Sequence, residues 1–390
     1  VTPPEHDVTF ARALELVRRE AWRGGAEAVP LAAAGGRVLA AAVHMRADHP
    51  AFSNSAMDGW AVRAADGAGT RRVVGESAAG RPWEGGLGAG EAVRISTGAA
   101  VPRGADAVVP LERATEGEGA VEVPATAPGA FVRRRGETAR AGDLLLGPGT
   151  RLLPHHVAPL AAAGHGEVSC RRRPRVALVV SGDELVPAGE PLAPGEVWDV
   201  NGVALPVLLA AAGAEVVAQE VVPDEAVDTA DALERALDVA DVVVTSGGVS
   251  VGVHDHLRPA LAGLGVEEVF RGAAIRPGHP LYLGRRDDVR VLGLPGNPVS
   301  AVVCLIVFGR PLLGCADAWG ERPLADPYRP GTARTDLIRC REDRDGLHPC
   351  ARQASHDVTA LAEATHIAAV PAGVGELPAG SPVPVLALPL

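Results

Sequence analysis

The chain contains no lysine: all 37 of its basic residues are arginine. That absence removes whole classes of chemistry. A Schiff-base lysine is impossible, which excludes pyridoxal-type enzymes, and so is the phosphate-binding lysine of an ordinary P-loop NTPase. Aromatic residues make up only 3% of the sequence, so the cores must be built from Ala, Val and Leu. The five cysteines (Cys170, Cys304, Cys315, Cys340 and Cys350) are scattered, with no C-x-x-C pair. That is a poor framework for disulfides or zinc, and it suits a reducing cytoplasm. The longest strongly apolar run, "AVVCLIVF" at 301–308, falls well short of the ~20 residues that span a bilayer. The opening "VTPPEHDVTF" lacks the basic start and apolar run of a signal peptide, so a cytoplasmic location is expected. A formal net charge of −11 argues against a general nucleic-acid or membrane binder.

What is present is 390 residues of changing texture, enough for two to four domains at the usual ~100–200 residues each. "VTFARALELVRREA" spaces Phe10, Leu14 and Val17 as an amphipathic helix. "VPLAAAGGRVLAAAVHM" reads as a strand, a glycine break and a short helix. From about 45 to 130, short apolar runs alternate with Gly/Pro clusters, as in a small β-rich module. From about 171, apolar runs at 175–180, 215–222, 242–245, 281–283 and 289–293 alternate with helical stretches. Strands apolar throughout and alternating with helices imply a parallel sheet covered on both faces. After about 318 the punctuated short strands resume. The expected fold is therefore α/β multidomain. A doubly wound, mostly parallel α/β domain over 171–318 sits with small β-rich modules and a C-terminal β-barrel-like domain over 319–390. Residues 1–44 and 131–170 form an N-terminal α/β domain, interrupted by the 45–130 module.

In open parallel sheets ligands bind beyond the C-terminal ends of the strands, and three stretches of the 171–318 region lie at such ends. "LVVSGDEL" places Ser181, Gly182, Asp183 and Glu184 just past a strand. "VVVTSGGVSVGVHD" places Ser246, Gly247, Gly248, Ser250 and Asp255 past another. "VLGLPGNPVSA" places Pro295, Gly296, Asn297 and Ser300 at the start of a helix. Glycine lets backbone amides approach an anion, a helix start adds positive partial charge, and serine hydroxyls add donors. Each loop alone reads as a simple turn; three in one sheet read as a phosphate cradle. Acids do not bind anions directly, but Glu184, Asp224 and Asp255 could share a Mg²⁺ that bridges to a phosphate. Asp224 also stands where a helix N-cap belongs. "RPGHP" adds Arg276, a planar fork suited to an oxyanion, and His279. In the first half, "SNSAMDGWAVR" carries Asp58 in a stretch that also reads as a type I′ or II turn, and "ISTGAAVPRGADAVVP" carries Thr97.

Taken in order, "NSAMDGWAVR", "STGAAVPRGADAVV", "VRRRGE", "SGDELV", "SGGVSVGVHD", "RPGHP", "GLPGNPVSA" and "ARQASH…LAEAT" resemble the MoeA family, the molybdopterin molybdenumtransferases that include the gephyrin E domain. The resemblance implies an enzyme of molybdenum cofactor biosynthesis. Adenylylated molybdopterin, supplied by a molybdopterin adenylyltransferase, and molybdate are its substrates. It uses Mg²⁺, releases AMP, and works as an elongated homodimer of four-domain chains, with a cleft between the α/β domain of one chain and the "MDG" module of the other. Carried over by motif, Asp58, Thr97, Glu184, Asp224 and Asp255 are its catalytic acids and hydroxyl, while Arg276 and Ser300 fall near the oxyanion site.

This sequence departs from the family pattern in three places, one of which is the stretch "FRGAAIRPG", which lacks the basic residue usual just before "AIRPG". Thr138 stands in "RRRGET" where an acid is usual, and His279 stands in "PGHP" where a lysine is usual. Loss of one charge-assisted contact costs about 1.5–3 kcal/mol. A second reading follows, a catalytically weakened paralogue that binds molybdopterin as a carrier or assembly protein.

Overall fold

The computed structural model describes residues 4–248, 256–315, 319–331 and 333–388. By internal contacts the chain forms two compact units, Val1–Gly25 with Arg172–Leu390, and Ala26–Arg171. No helix among the described residues is long and apolar enough to cross a membrane.

The first unit is built on a seven-stranded sheet. Its strand order is Glu5–Val8, Glu267–Ala273, Tyr282–Arg286, Val289–Leu294, Val242–Ser246, Arg175–Ser181 and Glu215–Val222. The last four strands pair in parallel. Period-two alternation explains how strands apolar throughout are used. Val176, Leu178 and Val180 face one core, with Leu205 and Leu209 of the Asn201–Ala211 helix and most of Pro298–Cys304. Ala177 and Val179 face the other, with Leu233 and Leu237 of Ala226–Val239 and Leu257 and Leu261 of Leu257–Gly263. Helices thus cover both faces, the α/β arrangement expected from the sequence.

The mostly parallel sheet is as expected with one refinement, and three further details depart from the sequence reading. The sheet is mixed, because Tyr282–Arg286 and Val289–Leu294 are antiparallel, with Arg286 opposite Val289. Only Asp287 and Asp288 separate them, and so short a link can close only an antiparallel pair; Asp287 takes a positive φ of 52° in that turn. The half-exposed Glu267–Ala273 strand, "EEVFRGA", carries no clear apolar period and escapes pattern reading. The amphipathic helix Phe10–Arg19 forms, with the Thr9 hydroxyl accepting from the Arg12 amide at 3.3 Å, but it packs with the α/β unit rather than with 131–170. Glu5–Val8 pairs in parallel with Glu267–Ala273, and Phe10 meets Phe308 and Trp319 edge-on at 6.0 and 5.8 Å. Finally, the short helix expected after Gly36 is absent. Val38 and Leu39 instead make isolated bridges to Arg151 and Cys170, and Val43–His44 is a strand.

The rest of the first unit is a β-domain. Thr335–Asp343, His366–Val370, Pro382–Ala387 and Trp319–Pro323 pair in that order around Ile338, Cys340, Leu347, Val383 and Val385. Its first strand pairs in parallel with Ile275–Arg276, tying it to the α/β domain.

The second unit carries a six-stranded sheet around Gly59–Val62, Glu91–Ile95 and Ala107–Pro110, with Trp60 buried in it. Gly59 is required there by close approach, since a Cβ would stand 2.1 Å from the Val109 carbonyl oxygen. Paired segments from 26–44 and 131–171, such as Ala26–Pro30 with Glu167–Arg171, form a separate core on Leu39, Leu152 and Leu160.

Candidate functional site

At the C-terminal ends of the parallel strands, where the chain turns from strand to helix, lies a cavity of 710 Å³. The three glycine- and serine-bearing loops converge on it. Ser181, Gly182 and Glu184 come from the first, Ser246, Gly247 and Gly248 from the second, and Gly296 and Asn297 from the third; Asp224 joins them from the end of Glu215–Val222. One wall is apolar, made by Leu185, Val197, Trp198, Val200 and Val358.

The second loop needs its glycines. Gly247 and Gly248 have φ of 94° and 61°, a region costly for residues with a Cβ. A Cβ on Gly247 would also stand 2.6 Å from the Ser181 carbonyl oxygen. The backbone of two neighbouring strand ends therefore meets directly, and the Gly247 amide donates to the Leu294 carbonyl at 3.4 Å.

Asn201, at the start of its helix, ties the second and third loops together. Its Nδ2 donates to Ser246 Oγ and to the Gly296 carbonyl, both at 2.8 Å, and Ser246 Oγ donates to the Pro295 carbonyl at 3.3 Å. Asn201 is only 7% exposed, and its Oδ1 is buried without a partner. Asp199 accepts from the Gly202 amide at 2.7 Å and so holds the first turn of the same helix.

The acids divide among separate roles. Glu184 and Asp224 line the cavity. Asp183 accepts from the Asp224 amide at 3.0 Å, which fixes the loop carrying Asp224. Asp224 is not a helix cap, because the helix it precedes is capped at Glu225 without a side-chain bond. Asp255 and Ser250 lie outside the described residues. Among the described residues no three His, Cys, Asp or Glu side chains form a group that could hold a metal. Mg²⁺ commonly takes one or two carboxylates and completes its shell with water and phosphate. Glu184 and Asp224 are two of the acids that line the cavity, with Asp199, and among the described residues no closed cage of protein ligands forms there.

Arg276 and His279 do not line the cavity. Arg276 Nε lies 3.5 Å from the carboxylate of Asp336, which is itself buried and accepts from Tyr328 Oη at 3.1 Å. His279 Nε2 sits 2.9 Å from Asp7 Oδ1. Ser300 is buried in the helix that follows the third loop.

In the second unit, Asp58 and Thr97 are brought together: the Thr97 amide donates to Asp58 Oδ1 at 2.7 Å. No residue between 53 and 63 has a positive φ, so the turn of type I′ or II is not formed there. Thr138 is exposed, its amide bonded to the His49 carbonyl.

Sequence reasoning missed Trp198, Asp199, Asn201, His356 and Val358 as site residues. "WDVN" carried a faint signal, a polar pair just before an apolar helix. His356, the last residue of the "ARQASH" stretch, and Val358 reach the cavity from the C-terminal β-domain.

Comparison with known proteins is consistent along the whole chain. Residues 8–164 match the MoeA N-terminal region (domain I and II), 177–314 a probable molybdopterin binding domain, and 321–388 the MoeA C-terminal region (domain IV). The chain is 35% identical over 388 residues to the molybdopterin molybdenumtransferase of Nostoc sp., covering 93% of this chain and 89% of that one. It is 34% identical to the molybdopterin molybdenumtransferase of Synechococcus elongatus, covering 98% and 100%. The crystal structure of a molybdopterin biosynthesis MoeA protein from Pyrococcus horikoshii superposes with a TM-score of 0.85 at 31% identity, covering 97% of this chain and 98% of that one.

Proposed function

This chain belongs to the MoeA family of transferases acting in molybdenum cofactor biosynthesis, and on that premise we propose that it inserts molybdate into adenylylated molybdopterin with release of AMP. The observation that carries this reading is the 710 Å³ cavity in which the Ser181, Gly247 and Gly296 loops meet Glu184 and Asp224. Glycine-bearing strand ends and serine hydroxyls supply the chemistry that holds a phosphate, and carboxylates beside them supply the chemistry that a bridging cation uses. Glu184 and Asp224, with Asp255, would hold Mg²⁺, which neutralises phosphate charge when bound. Ser181, Ser246, Gly247, Gly248 and Asn297 bind and orient the substrate, and Asp58 and Thr97 are further catalytic residues. A homodimer of four-domain chains, a transient encounter with the adenylyltransferase and a cytoplasmic location complete the reading.

The test is reconstitution with adenylylated molybdopterin, molybdate and Mg²⁺, following AMP and metal incorporation together. AMP release dependent on both ions, and abolished in Asp224→Asn without loss of fold, is the expected result. Binding of the adenylate with background turnover at every molybdate concentration would exclude the insertase reading.

One observation favours the weakened-paralogue reading: His279, which replaces the usual lysine, is engaged by Asp7 at 2.9 Å. On that reading Thr138→Asp with His279→Lys creates turnover. An unchanged rate in that double variant counts against it.

A further inference from the structure

Trp198 has no part in the cradle described above, yet it belongs to the cavity. The chain has five tryptophans, two tyrosines and five phenylalanines, and Trp198 is the one of them that lines this space. Half of its surface (50%) is exposed, as are 49% of Val197, 37% of Val200 and 40% of Val358 beside it. Its orientation is held from several sides. The indole N–H donates to the Glu190 carbonyl at 2.8 Å. Val197–Trp198 pairs in parallel with Leu185–Val186, the Val197 amide donating to the Glu184 carbonyl and the Asp199 amide to the Val186 carbonyl, both at 2.8 Å. The ring and the Glu184 acid therefore ride on one two-stranded ribbon.

A second, independent observation lies three residues on. The Gly296 carbonyl can only accept, so the Asn201 amide cannot be flipped, and this cavity-lining residue keeps its Oδ1 buried and unpartnered. A buried acceptor without a donor is destabilising, and a donor arriving with a ligand removes that cost. The cavity thus has two chemistries: glycine loops, serines and acids on one side, an ordered ring and a buried, unpartnered acceptor on the other.

We propose that Trp198 is a specificity-determining residue that stacks the fused heteroaromatic ring of the substrate, while Asn201 Oδ1 accepts an N–H from the ring edge. The inference rests on the reading of the substrate as adenylylated molybdopterin, which carries two such rings, adenine and pterin. The chemistry shared by both is a flat π-face with N–H donors on its rim, joined to a phosphate.

The test is steady-state kinetics of the full chain with adenylylated molybdopterin, using AMP and a phosphorylated pterin as competitive inhibitors. Stacking on an aromatic side chain is worth roughly 5- to 150-fold in affinity. Trp198→Ala should raise KM within that range with little change in kcat, and Trp198→Phe should restore most of the loss. The inhibitor whose Ki rises in step identifies the ring. Circular dichroism of each variant checks the fold. An unchanged KM in Trp198→Ala, with the wild type active, overturns the stacking role and leaves the insertase reading standing. A wild type that neither releases AMP nor binds either inhibitor overturns both.

Discussion

Replacing Gly247 by alanine tests whether the strand ends meet as closely as the site requires. Two effects add at this position. The backbone φ of 94° lies in the left-handed region, which costs an L-residue about 1–2 kcal/mol. The new Cβ would also stand 2.6 Å from the Ser181 carbonyl oxygen and 2.8 Å from its Oγ. Ser181 cannot easily retreat, because its strand is hydrogen-bonded on both sides, with Ser181 opposite Val222 and Val180 opposite Ser246. Overpacking of that kind costs a further ~1–3 kcal/mol. Gly213, in the same unit, isolates the first effect: its φ is 86° and a Cβ there meets nothing within 4 Å. Gly213→Ala should therefore lose about 1–2 kcal/mol and Gly247→Ala about 2–5 kcal/mol, read from urea denaturation followed by tryptophan fluorescence and circular dichroism. AMP release should survive in the first variant and fall in the second. Equal losses of stability in the two would refute the close approach.

Two further outcomes concern the scaffold. His348 is held between Asp326, 2.7 Å from Nδ1, and Asp343, 3.1 Å from Nε2, and its pKa is raised above 6.5, chiefly by the bond to Asp326. A raised folded-state value means stabilisation present below the unfolded pKa and lost as pH rises through the folded one. Denaturation midpoints compared between about pH 6 and pH 9 should fall in the wild type relative to His348→Gln; parallel profiles would remove the assigned role. Leu205 is fully buried and Val207 is 67% exposed on the same helix. Leu205→Ala should cost about 2–5 kcal/mol and Val207→Ala about 0.5 kcal/mol or less, and similar losses in a denaturant series would mean the helix packs through another face.

Much of the architecture was legible because it is written in local periodicity. Val176 to Val180 and Val242 to Val244 are apolar at every position, which a two-faced buried strand demands, and the glycines after Ser246 mark a turn that a Cβ would obstruct. Residue types at strand ends sufficed to single out Ser181, Glu184, Gly247 and Asn297. What the sequence could not determine is where those ends sit relative to one another, since distance depends on strand order and on partners far along the chain. Asp224 read equally well as a helix cap until the N-cap at Glu225 excluded that role. Arg276 read as a fork suited to an oxyanion, with His279 beside it, yet Asp336 and Asp7, which engage them, lie 60 or more positions away. Trp198 and Asn201 carry no motif; only the packing of the ribbon and the helix start places a ring and an unpaired oxygen on the same cavity. Composition and period determine which residues are buried and which loops turn, because those are one-dimensional properties of the chain. Pairing across the sheet decides which side chains can reach a common ligand, because that is set by three-dimensional closure alone.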